Sequence, residues 1–141
     1  MNKAKKTPIT KKLVKEIKPK IATTKVKLFA HTNKNIKISP RKLRILANTV
    51  KKLKPLVALT RLKLSNSKSA RVLYKNIQNA VANLKNDPKA NIKTASFHSI
   101  QVDESIKFKR MDKSHSSRFA RGLIQKRHSR LKIIISATIG N

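Results

Sequence analysis

The chain of 141 residues contains no cysteine and no tryptophan, and its only glycines are Gly122 and Gly140. Without cysteine there is neither a disulfide nor a thiolate-held metal, which agrees with a reducing compartment. Glycine at two positions near the end cannot build a glycine-rich phosphate loop. Acidic residues are also scarce: Glu16, Asp87, Asp103, Glu104 and Asp112 are all of them. Only Asp103 and Glu104 adjoin, and neighbours along a strand point to opposite faces, so they make a poor acid–base couple. Partial neutralisation of nearby Lys and Arg is the role expected of them. The four histidines, His31, His98, His115 and His128, show no metal-ligand spacing. No apolar run approaches the ~20 residues of a spanning helix. These absences predict a protein that is not an enzyme, holds no cofactor, metal or small-molecule substrate, and does not cross a membrane.

What the chain has is positive charge. Lys and Arg total 36, for a formal net charge of +31. Such a charge repels itself in a free compact protein, so the partner expected is a polyanion, nucleic acid first. Residues 1–25 carry Glu16 as their sole carboxylate, have no arginine, and lack the apolar core of a secretory signal. They are expected to form a basic flexible extension, followed by a single domain over 26–141.

Within that domain, Val26–Ala30 alternates as a short strand does. Ser39-Pro40 opens a helix, with Ser39 able to cap it and Pro40 at a position that needs no backbone donor. Leu43, Leu46, Ala47 and Val50 give that helix one apolar face, and Pro55 ends it. Removing the Ser39 hydroxyl is expected to cost about 1 kcal/mol. A short second helix begins at Pro55 and turns Leu56, Leu59 and Leu62 inward. Ser65-Asn66-Ser67 breaks it, and Ser67 caps a third helix with Ala70, Leu73, Ile77, Ala80, Val81 and Leu84 at spacings of three and four. Among these, Tyr74 is expected to pack. Asn86-Asp87-Pro88 is a turn sequence. From Ile92 the period shifts toward two. Ala95, Phe97 and Ser99, then Ile100 and Val102, read as a strand with one slip or bulge. Leu131, Ile133, Ile135 and Ala137 alternate as the last strand.

Between these two strands lies a basic segment with little to build a core. If Asp103 to Leu131 forms one hairpin, each arm has about 14 residues and reaches on the order of 45 Å, far beyond a compact body. An isolated two-stranded ribbon is marginal in water, so something outside the chain must hold it. Phe108 and Phe119 in this segment either stack on unpaired bases or pair across the ribbon. At the first helix, Arg41 and Lys42 sit at the positive end of the dipole, a placement that suits a phosphate bound to free backbone donors. The RNA-binding residues expected are Lys37, Arg41, Lys42 and Arg44 at the first helix. In the hairpin they are Lys107, Lys109, Arg110, Arg118, Arg121, Lys126, Arg127 and Arg130.

In order along the chain, several motifs resemble the bacterial form of ribosomal protein twenty-two of the large subunit. Ile38-Ser39-Pro40-Arg41-Lys42 is similar to that family's first-helix signature, and Asn79-Ala80-Val81-Ala82-Asn83 to its third-helix pattern. Val102-Asp103-Glu104 with Lys109-Arg110 resembles the outgoing arm of its hairpin. Lys126-Arg127 with Ser129 and the Leu131–Ile135 strand resembles the returning arm. The chain departs from the family with Ser105-Ile106 after the Asp-Glu pair, where Gly-Pro is usual, and with Arg130 in place of His. It also differs at the tip, Met111 to Arg118, and is about two residues longer between Asp103 and Lys126 than the usual bacterial form.

The resemblance implies a structural constituent of the large ribosomal subunit that binds its RNA and supports its assembly beside neighbouring ribosomal proteins. It further implies a hairpin lining the nascent-peptide exit tunnel, with Lys113, Ser114, His115, Ser116 and Ser117 facing the peptide. The compartment would be the cytoplasm of an AT-rich bacterium or the matrix or stroma of an organelle. The expected fold is α+β: a small antiparallel sheet packed on three helices, with a long protruding basic β-hairpin over about 103–131. The rival reading is a histone-like architectural DNA-binding protein. Such proteins commonly wedge a proline or other apolar residue between bases, and this hairpin has no proline.

Overall fold

The computed structural model describes residues 25–114 and 122–140. The elements run β1 (Val26–Ile36), α1 (Pro40–Lys51), α2 (Pro55–Leu64) and α3 (Lys68–Lys85). A short 3₁₀ turn (Ile92–Thr94), β2 (Ser96–Met111) and β3 (Leu123–Thr138) follow. Strand, three helices and two strands is the order that the periodicities predict. The three strands form one antiparallel sheet in the order β1-β3-β2.

β3 is central because it is the most apolar strand. Leu131, Ile133, Ile135 and Ala137 alternate onto one face and are fully or almost fully buried. Onto the same core pack Leu43, Ala47 and Val50 of α1 and Ala58 and Leu62 of α2. α3 adds Ala70, Leu73, Ile77, Ala80, Val81 and Leu84, the set that its spacing picks out, with Tyr74 packed against them.

One register shift lies in the β1–β3 pairing, between Asn33 and Ile36, and two lie in the β2–β3 pairing. Between Phe97 and Ser99 one extra residue enters β2 opposite β3. Phe97 and Ile100, three apart and otherwise on opposite faces, thereby both align with inward-facing Ile135 and Ile133. The bulge predicted in this strand is therefore present, one residue earlier than the slip from Ser99 to Ile100. The second β2–β3 shift, between Glu104 and Lys107, marks where the sheet narrows. β1 pairs with β3 only as far as Ile36 opposite Ser129. Beyond that point β2 and β3 continue alone, through Lys107↔Arg127 to Met111↔Leu123.

Three expectations are corrected. β1 runs to Ile36 instead of stopping at Ala30; pairing with β3 carries it through the polar Thr32–Asn35 stretch that alternation alone leaves out. Leu56 does not turn inward but is 47% exposed, because Pro55 and Ala58 form the buried stripe of α2 with Leu62. Ser39 occupies the N-cap position of α1 in an extended conformation, yet its side chain makes no capping hydrogen bond. Ser67, by contrast, accepts a hydrogen bond from the Ala70 amide at 3.0 Å. Ser67→Ala should therefore cost about 1 kcal/mol and Ser39→Ala only a few tenths, as read by urea unfolding of each variant. Equal losses would contradict this assignment of the caps.

Candidate nucleic-acid interface

Two regions gather cationic side chains where the fold gives them little else to do. The first is the ribbon. Alternation divides its residues between two faces. Lys107, Lys109 and Arg127 fall on one face; Arg110, Lys126 and, farther back, Arg130 fall on the other. Positive charge thus covers both sides. Ile106, Phe108, Met111 and Leu123 lie among these charges, each more than half exposed, so this apolar surface finds no core among the described residues. The ribbon spans on the order of 25 Å from Asp103 to Met111, about twice the radius of gyration of a ~100-residue domain.

Phe108 stands edge-on to the His128 ring, with centroids 5.1 Å apart. Cross-ribbon packing, one of the two roles open to Phe108, is made with His128, which is buried; Phe119 lies outside the described residues. At the far end the Asp112 amide donates to the Gly122 carbonyl at 2.8 Å, adding one more rung. The Asp112 carboxylate then accepts the Ser114 amide at 3.0 Å. These bonds from Ser114, with a smaller contribution from Arg110, hold the Asp112 carboxyl below its usual range.

The base of the ribbon is pinned internally. The Glu104–Lys107 bulge puts these two residues, three apart, on the same face, and Lys107 Nζ reaches Glu104 Oε2 at 2.6 Å. That contact, reinforced by the charges of Lys107, Arg44 and Arg127, depresses the Glu104 carboxyl. A depressed carboxyl stabilises the fold above the ordinary carboxylate range and loses that contribution as pH falls through its folded value. Ser105, in the stretch that departs from the family pattern, donates its hydroxyl to the Lys34 carbonyl at 3.0 Å and so ties β2 to the end of β1. Arg44 donates Nε to the Val102 carbonyl at 2.9 Å. It therefore anchors α1 to the outer edge of β2 while its remaining guanidinium donors stay available.

The second region is a cleft of about 400 Å³ where the N-termini of α1 and α3 converge, lined by Lys37, Ser39, Lys42, Ser67, Lys68 and Ser69 with Ile38. First-turn amides of a helix have no intrahelical acceptor, and two positive dipole ends meet here. Lys37 and Lys42 line this cleft as their position beside the Ser39-Pro40 start suggests; Arg41 is exposed on α1 but does not line it. Sequence reasoning missed the α3 half, Lys68 and Ser69. The available signal was the Ser67 cap, which fixes where the second helix begins; its convergence on the first is tertiary.

Of the remaining expected site residues, Lys109, Arg110, Lys126, Arg127, Arg130, Lys113 and Ser114 are all exposed. Arg118, Arg121, His115, Ser116 and Ser117 lie outside the described residues.

Residues 31–136 match the family described as Ribosomal protein L22p/L17e. The large ribosomal subunit protein uL22 of Petrotoga mobilis is 34% identical over 103 residues, 72% of this chain and 67% of the relative. Its namesake from Thermosipho africanus is 32% identical over 124 residues, 88% of this chain and 82% of the relative. The matched span takes in most of β1, all three helices and both arms of the ribbon, and the chain belongs to the ribosomal protein L22p/L17e family.

Proposed function

We propose that this protein is a structural, non-catalytic constituent of the large ribosomal subunit. It binds the subunit's RNA, supports its assembly, and extends its ribbon along RNA so that the tip reaches the nascent-peptide exit tunnel. The observation that carries the reading is the ribbon beyond Ser129: two strands, cationic on both faces, with exposed apolar side chains between the charges. Such a ribbon needs phosphates along its length and a surface to cover Ile106 and Phe108, and an RNA wall supplies both. The cleft between α1 and α3 offers a second phosphate position, where first-turn amides, Lys37, Lys42 and Lys68 point to one anion. The relatives' shared name adds the large subunit as the setting.

The protein should co-sediment with large ribosomal particles, and RNase but not DNase should abolish that association. Sensitivity to DNase instead would favour an architectural role on DNA. For the tunnel, a photo-crosslinker at Ser116, beyond the described residues, should label nascent peptides in stalled ribosomes. One at the fully buried Leu73 should not. Labelling of RNA alone from Ser116 would remove the tip from the peptide path while leaving the RNA contacts of the arms intact.

A further inference from the structure

At the end of the sheet away from the ribbon, a groove of about 810 Å³ opens between α2, the turn after α3 and the last residues of β3. Leu56, Ile92 and Ile139 supply its aliphatic lining, and Lys85, Lys89 and Lys93 its charges. We propose that this groove docks an acidic segment of a neighbouring protein, one with an apolar side chain set between carboxylates.

Four observations support this occupant. The groove is preformed: Ala90 bridges Ile139, the Asn91 amide donates to the Thr138 carbonyl, and the Gly140 amide donates to the Lys89 carbonyl, both at 3.0 Å. An incoming segment meets a wall that is already ordered, which lowers the entropy lost on binding. Its positive charge is also only partly answered among the described residues, by the charge of Asp87 near Lys89. Asp87, the nearest carboxylate in sequence, is taken by Lys27 Nζ at 2.7 Å and by the Lys89 amide at 3.2 Å. Neither ion pair of the described residues uses Lys85, Lys89 or Lys93.

The lining chemistry then separates protein from RNA. Among the described residues no aromatic ring and no arginine lines the groove, so a splayed base would find no plane to stack on there, whereas aliphatic walls accept an aliphatic or aromatic side chain. Leu56 completes the case. It is the one α2 leucine whose helical spacing points it inward but which the fold leaves 47% exposed, at the mouth of this groove.

The test uses the full chain and two fluorescent peptides of equal charge, Glu-Asp-Leu-Phe-Asp-Glu and Glu-Asp-Ser-Ser-Asp-Glu, with a uridine hexanucleotide as the RNA probe. Anisotropy at physiological salt should show the Leu-Phe peptide binding about ten-fold more tightly than the Ser-Ser peptide, the effect of burying its apolar side chains. Leu56→Ser should abolish that preference, and Lys89→Glu combined with Lys93→Glu should weaken both peptides. These positions are exposed, and a circular dichroism melt unchanged from the parent confirms that each variant is folded. Equal binding of the two peptides by the parent chain overturns the proposal. So does a Leu56→Ser effect confined to the hexanucleotide, which would make the groove an RNA site.

Discussion

Asn76→Ala should lower the unfolding free energy by about 2–3 kcal/mol, the cost of emptying a buried polar site and stranding its partner. Asn76 lies on α3, only 3% exposed, in the middle of an otherwise apolar face. Its amide nitrogen donates to the Val72 carbonyl at 2.8 Å. Its side-chain oxygen accepts from Asn33 Nδ2 at 3.0 Å and lies 3.4 Å from His31 Nε2. One buried amide therefore fixes β1 to α3. Truncation leaves the Asn33 donor without its acceptor in a part-buried site. Asn79, exposed on the same helix, is the control, and Asn79→Ala should move the midpoint of a urea melt hardly at all. If the two variants melt alike, the polar bridge contributes nothing to holding β1.

This bridge also shows where sequence reading stopped. The apolar spacing of α3 identifies Ala70 through Leu84 because burial follows a helical period that any apolar residue reports. Asn76 sits on the same face and carries no such mark, since a polar residue between Leu73 and Ile77 reads as solvent-facing until its partner is known. That partner, Asn33, is more than forty residues away in the part of β1 that alternation leaves unassigned. The same logic explains the caps. Ser39 and Ser67 look alike in sequence, each a serine directly before a helix, and both have an extended backbone, but only the Ser67 hydroxyl is placed to reach an amide. The ribbon was legible for a different reason. Its charge and lack of core residues exclude packing on the body, and the pairing of Lys107–Met111 with Leu123–Arg127 follows from strands that have no other partner. The groove at the far end was not legible: its lining comes from three separated stretches, two of them joined by the Ala90–Ile139 bridge and the bonds beside it and the third, Leu56, brought in from α2.

Replacing Lys109, Arg110, Lys126 and Arg127 together by serine should reduce the salt dependence of RNA binding more than any comparable change on the helices. Each phosphate neutralised contributes about 0.7 to the log–log slope for single-stranded RNA, so losing four contacts should make the slope shallower by about 3. These four are chosen because no ion pair among the described residues holds their charges. Lys107 is excluded because it is paired with Glu104, and Arg130 because it stands opposite Asp103. All four lie past the last β1 pairing, at Ile36, so the body should melt as before. The matched comparison removes Lys51, Lys63, Lys75 and Lys85, exposed lysines on the three helices. If binding is a diffuse attraction of a +31 chain for any polyanion, the two quadruple variants will lose slope equally. If the ribbon is the built interface, the helix variant will keep most of its slope. Amide exchange adds an independent readout. Without RNA, Lys107–Met111 and Leu123–Arg127 should exchange much faster than Leu131–Ile135, which pair on both edges. Large-subunit RNA should slow the ribbon selectively, because the contacts that the body cannot offer it come from outside. Ribbon amides already as slow as those of Ile133 in free protein would mean that the two strands hold themselves, and RNA would then no longer be needed to order them.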